Sequence, residues 1–148
     1  MPELHSALLF LHILFAATWL GAALWSAGDV RRTLALGRPH TDALAARTRP
    51  ALSLDLWSGL GTLATGLVLI PLVYPGMPEP GIVVGLVAVL ARLALLAAAV
   101  MPAFRRLEKS VAAGDLAGAA PAAKRLGMLS GIAHLLWLVA LAGMVFRG

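Results

Sequence analysis

Leu4-His5-Ser6-Ala7-Leu8-Leu9-Phe10-Leu11-His12-Ile13-Leu14-Phe15-Ala16-Ala17-Thr18-Trp19-Leu20-Gly21-Ala22-Ala23-Leu24-Trp25-Ser26-Ala27 runs without one Asp, Glu, Lys or Arg until Asp29, Arg31 and Arg32 stop it. A helix needs about 20 such residues to cross the hydrocarbon core of a bilayer. Three more stretches of this kind follow, at about 51–73, 81–103 and 127–146. The connection after the second is turn-rich, Tyr74-Pro75-Gly76-Met77-Pro78-Glu79-Pro80-Gly81, and the third stops at Arg105-Arg106. The expected fold is all-α, a single transmembrane four-helix domain over residues 1–148.

Composition agrees with that pattern. Of 148 residues, 60% are apolar and 13% charged, and mean hydropathy is +0.88. A soluble domain is closer to 45–50% apolar and about 25% charged. A chain of this size could not hide so much apolar surface in its own core. A soluble enzyme, a disordered tail and a collagen-like rod are excluded. The net charge of +5 raises nucleic acid as a partner, but position argues against it. Arg31, Arg32, Arg38, Arg47 and Arg49 fall in loop 28–50, and Arg105, Arg106, Lys109, Lys124 and Arg125 in loop 104–126. The 74–80 connection has no basic residue. That is the positive-inside pattern. It predicts N-out and C-out topology in the cytoplasmic (inner) membrane, with two basic cytoplasmic loops against anionic lipid headgroups. The head Met1-Pro2-Glu3-Leu4-His5 has no positive charge, so the first span does not read as a cleaved signal. A short amphipathic piece, Leu107 to Ala113, is expected at the membrane interface.

There is no Cys. Disulfides, iron–sulfur clusters and covalently attached haem are excluded. Asn and Gln are also absent and Arg outnumbers Lys, a bias that fits a heat-adapted or GC-rich source.

Residues that interrupt the apolar pattern mark the inward faces. His5, His12, Trp19 and Ser26 recur every seven residues in the first span. Asp55, Ser58, Gly59, Thr62 and Gly66 form a stripe in the second, Gly81, Gly85, Ala88 and Arg92 in the third. Gly127, Ser130, Gly131, His134 and Trp137 or Leu138 form one in the fourth. Small residues let helices approach closely. They also suit a homodimer. The pairs Ser58-Gly59 and Ser130-Gly131 would fit an ancient hairpin duplication.

Ionisable groups at membrane depth are functional candidates by default. Arg92 lies at the middle of its span, with Asp55 as its counter-charge or an anionic group such as a haem propionate as its ligand. His12 and His134 are the natural axial ligands for haem, and Trp19 would line the porphyrin pocket. By rise per residue, His12 lies about 25 Å from the cytoplasmic charges and His134 about 13 Å, so one haem shared by both is strained in depth. One haem per histidine is the alternative, with His5 a weaker candidate for a second haem or copper. His5, Met1 and Met77, with His12, could gather near the outer face as soft ligands for copper. Trp25 and Trp57 are expected at the interface, and His40 in solvent. No residue set reads as catalytic.

Leu11-His12-Ile13-Leu14-Phe15-Ala16-Ala17-Thr18-Trp19-Leu20-Gly21-Ala22 resembles the first helix of the copper resistance D (CopD) family and its four-span relatives, including the haem-containing protoporphyrinogen oxidases of the HemJ type. In these an early His is followed seven residues later by Trp and then Gly, as in His12, Trp19 and Gly21 here. The resemblance implies either haem b with redox chemistry or copper handling at the outer face. The chain departs from the oxidase branch at Arg92, where that branch has Lys. It departs again at Lys124-Arg125-Leu126-Gly127-Met128, where that branch has Asn-Glu-x-Pro. The expected function is b-type haem binding with electron transfer, or redox chemistry on a quinone or other small molecule. Copper binding or transport, or a non-catalytic assembly role, is the alternative.

Overall fold

The structure is a computed structural model that describes residues 2–74 and 76–146, without the side chains of Pro2, Ala23, Trp25 and Ser26. The expectations for Met1, Trp25 and Ser26 therefore lie outside the described residues. Helix α1 spans Pro2–Leu36 and, after a 3-10 turn at His40–Ala43, α2 spans Leu44–Val73. Helix α3 spans Pro80–Leu95, a π turn occupies Leu96–Val100, α4 runs over Met101–Ala112 and α5 over Leu116–Val145. Among the described residues four helical stretches are long and apolar enough to cross a membrane. The chain is an all-helical, multi-pass membrane-type protein. The start of α1, the end of α5 and the turn residues 76–79 lie at one end, here the terminal end. The turns near 37–43 and 113–115 lie at the other, the basic end.

The helices outrun the spans read from hydropathy. Helix α1 has 35 residues, about 50 Å of rise against a hydrocarbon core of about 30 Å. The segments 28–50 and 104–126, read above as loops, are mostly helix, and the connections shrink to short turns. Their packing gives the reason. Val30, Leu44, Phe104, Leu107, Ala119 and Ala123 are buried in one cluster that caps the bundle at the basic end. Leu107 is 1% exposed, so the segment expected on the membrane surface instead continues the third span and packs on α5. Ion pairs tie this end together. Arg47 donates to Asp29 at 3.2 Å and to Thr33 at 2.8 Å, and Arg49 donates to Glu108 at 2.6 Å.

Local signals explain the breaks. Pro80 opens α3 with its missing N–H at a position that needs no donor. Pro102 cannot supply the usual bond in α4. The turn before it widens, with the Met101 N–H bonding Leu96 O. Helix α4 ends in a Schellman motif. Gly114 has φ +76°, its N–H bonds Val111 O at 3.0 Å, and the Asp115 N–H bonds Ser110 O at 2.9 Å. Asp115 then caps α5, accepting from the Gly118 N–H at 2.7 Å.

Helix α1 packs along α2 and touches α5, α3 packs along α5, and α2 meets α3 only loosely. Small residues set these crossings. A side chain on Gly143 would run into Gly81 O and come within 2.9 Å of Gly85 N, so α3 and α5 touch backbone to backbone. A side chain on Gly59 would come within 2.7 Å of the Trp19 ring. The inward stripes of α1, α2 and α3 are where the sequence puts them. That of α5 is turned. Leu126, Leu129, Ala133, Ala140 and Gly143 are buried, Trp137 is half-buried and Leu138 exposed. Gly131 is exposed with nothing within 4 Å of a Cβ, unlike Gly59, so the two Ser-Gly pairs pack differently.

Candidate functional site

Where α2 and α3 part at the terminal end, they leave a cavity of about 330 Å³. Leu9, Leu63, Leu69, Ile70, Leu86 and Val89 make most of its wall, and His5, His12, Thr62, Tyr74 and Met144 are its heteroatom-bearing residues. Its volume is at the lower end for small-molecule and cofactor sites, which are mostly apolar with a few placed polar groups.

His12 is the anchored member. It is 9% exposed, and its Nδ1 lies 2.9 Å from Thr65 Oγ1. The Thr65 hydroxyl has one proton, and it donates that proton back along α2 to Gly61 O at 2.7 Å. With its proton on Gly61 O, the hydroxyl presents a lone pair to His12, and in the tautomer that matches it Nδ1 donates and Nε2 keeps its lone pair. Gly66 makes the approach possible, since a Cβ there would sit 3.2 Å from His12 Cε1. A histidine whose far nitrogen donates to a protein oxygen is held in one tautomer and orientation. Metal-ligating histidines are held this way.

His5 lies on the same cavity, two turns toward the chain's start. Met77 is 93% exposed and does not line it. Met144 does, and so supplies the thioether expected of Met77. Among the described residues no three or more His, Cys, Asp or Glu cluster as a metal site. A bare ion would thus find few donors here. A haem would ask less of this lining than a bare ion, because the porphyrin brings four nitrogens and would need only one imidazole from the protein. It also has no need of Cys for attachment.

His134 is elsewhere. The Trp137 indole donates to Ala16 O at 3.2 Å, which fixes the register of α5 against α1. Counting from that pair, His12 and His134 are offset by about 10 Å along the bundle. Two imidazoles on one metal ion need their nitrogens within about 4 Å. The structure does not bring these histidines to one centre.

Arg92 and Asp55 form a separate buried pair. Arg92 is 2% exposed. Its Nη2 donates to Asp55 Oδ1 at 3.0 Å, and its guanidinium lies 4.0 Å from the Trp19 ring centroid. His134 is half-buried. The Nε and Nη1 of Arg92 and the Nε2 of His134 are buried with no hydrogen-bond partner among the described residues. Beside Asp55 a cavity of about 40 Å³ reaches Ser130 and Ala133, enough for about three waters. It is too small for a carboxylate-bearing cofactor. Neither Arg92 nor Trp19 is among the residues that line the terminal-end cavity. Trp57, 66% exposed, faces outward as expected of an interfacial indole, and His40 is exposed.

Sequence reasoning missed Thr65, Met144 and Tyr74. Thr65 had a signal, a hydroxyl one turn from Thr62 and beside Gly66 on the inward stripe. Met144 had none, since a methionine in an apolar span looks like its neighbours.

No family model, curated protein or solved structure matches the chain. What the fold and the cavity define is a class, an all-helical protein with four helices long and apolar enough to cross a membrane and a mostly apolar cavity lined by His5 and His12.

Proposed function

We propose that this protein binds b-type haem in the terminal-end cavity and takes part in electron transfer or small-molecule redox chemistry at the cytoplasmic membrane. The observation that carries the reading is His12, buried on this cavity and held through Nδ1 by Thr65, which in the Nδ1–H tautomer would leave Nε2 to bind iron. The resemblance of His12, Trp19 and Gly21 to the CopD family is as compatible with haem b as with copper. The basic residues at one end support N-out and C-out orientation, with the cavity toward the outer face.

When bound, haem would supply one-electron chemistry, with a potential tuned by its axial ligand and burial. The chain's own residues would then divide the work. His12 would hold the iron, and Thr65, in contact with Nδ1, would fix the ring. Gly66 gives the ring its place against α2. Leu63, Leu86 and Val89 exclude water. Tyr74 and His5, toward the mouth, are positioned to meet a quinone headgroup or a redox partner.

Purified protein should show a Soret band and a pyridine haemochrome spectrum. His12→Ala should abolish both and His134→Ala should keep them. A His12→Ala variant that retains full haem would overturn the reading.

Copper is the second reading, favoured by Met144 sharing the cavity with His5 and His12. These are soft to borderline donors that suit Cu(I). A colourless protein whose Cu(I) affinity falls at least tenfold in Met144→Leu would support it over haem.

A further inference from the structure

At the basic end, on the side away from α1, a groove of about 410 Å³ lies between α4 and α5. Arg106 and Lys109, one turn apart on α4, line it with Arg125 of α5, the Ser110 hydroxyl, and an apolar floor that includes Ala103 and Ala122. The two faces of α4 are opposite in kind. Phe104 and Leu107 are buried in the core, while Arg106 and Lys109 are exposed. Arg106, Lys109 and Arg125 form no ion pair among the described residues. The nearby carboxylates are committed elsewhere, Glu108 to Arg49 and Asp115 to the Gly118 N–H. No acidic residue lines the groove.

Three unpaired cations and a hydroxyl above an apolar floor complement one chemistry, a phosphate diester attached to acyl chains. The position favours a lipid over a free ion, because the groove sits where the third and fourth spans leave their apolar windows. Cationic pockets between helices at this level recognise anionic headgroups, and guanidinium groups grip phosphate in two-point fashion. We propose that this groove is a specific site for an anionic phospholipid. The inference rests on the membrane-spanning reading and is independent of what His12 holds.

The test uses the full-length protein in a neutral detergent. Binding is measured by native mass spectrometry and thermal shift with phosphatidylglycerol, phosphatidylcholine and inorganic phosphate. The wild type should bind phosphatidylglycerol well above phosphatidylcholine, and inorganic phosphate should not compete at equal concentration. Loss of two cations near the surface predicts that Arg106→Gln/Arg125→Gln binds phosphatidylglycerol on the order of 30-fold more weakly. Arg32→Gln/Arg105→Gln, the same charge change outside the groove, should lose less than about threefold. The groove is refuted by no headgroup preference in the wild type, or by equal loss in the two variants. It is refuted equally by competition from inorganic phosphate as strong as from lipid. The wild-type headgroup preference is read before any variant, so it stands even if a substituted protein fails to fold.

Discussion

At the scale of single residues, His12 and Arg92 show how two polar groups in one bundle come to differ. Both were legible as inward-facing ionisable residues. Only contacts separate them. Arg92 is paired with Asp55 and stacked on the Trp19 ring, away from the large cavity, whereas His12 lies on that cavity and is held through Nδ1 by Thr65. Thr65→Val should leave the fold intact but lower affinity for the cofactor or metal about 10- to 100-fold, as removal of an outer-shell partner usually does. Thr65→Ser should restore most of it, and spectroscopic titration would check both. Arg92→Met should cost about 3–5 kcal/mol by leaving Asp55 buried and unpaired. Arg92→Met with Asp55→Leu should cost much less. Thermal unfolding in detergent distinguishes the two outcomes. An equal loss in single and double variants would mean that the pair carries stability of its own.

At the scale of elements, the contact between α3 and α5 depends on glycine. Gly143→Ala would push a methyl into Gly81 O and Gly85. Overpacking of this kind costs about 1–3 kcal/mol, while Gly131→Ala, with open space around it, should be neutral. Chemical or thermal unfolding of the pair would show it. The stripes of α1 to α3 could be read from sequence because each holds a polar or bulky marker, His12, Asp55 or Arg92, at helical spacing. That of α5 could not. Its inward face is built from Leu126, Leu129, Ala133 and Ala140, indistinguishable in composition from a lipid face. The same limit applies to the basic loops. Hydropathy ends a span at the first charges, yet Phe104, Leu107 and Ala119 go on packing past them. What continues the helix is burial against other protein, which no window average along one segment can register.

At the scale of the whole molecule, the bundle divides its polar groups by level. The terminal-end cavity carries His5, His12 and Met144. The middle holds the Arg92–Asp55 pair against Trp19. The basic end carries most of the Arg and Lys residues. With no native Cys, topology is open to a clean assay. Met77→Cys should label from outside intact cells with an impermeant maleimide, and Ala113→Cys only after lysis. The reverse would invert the orientation. The cofactor claim meets its most direct test in the oxidised and dithionite-reduced absorption spectra of the wild type, His12→Ala and His134→Ala, each with a pyridine haemochrome assay for stoichiometry. The account predicts one b-type haem per chain in the wild type and in His134→Ala, and none in His12→Ala. A wild type that stays colourless after haem supplementation, or a His12→Ala variant with full haem content, would contradict it.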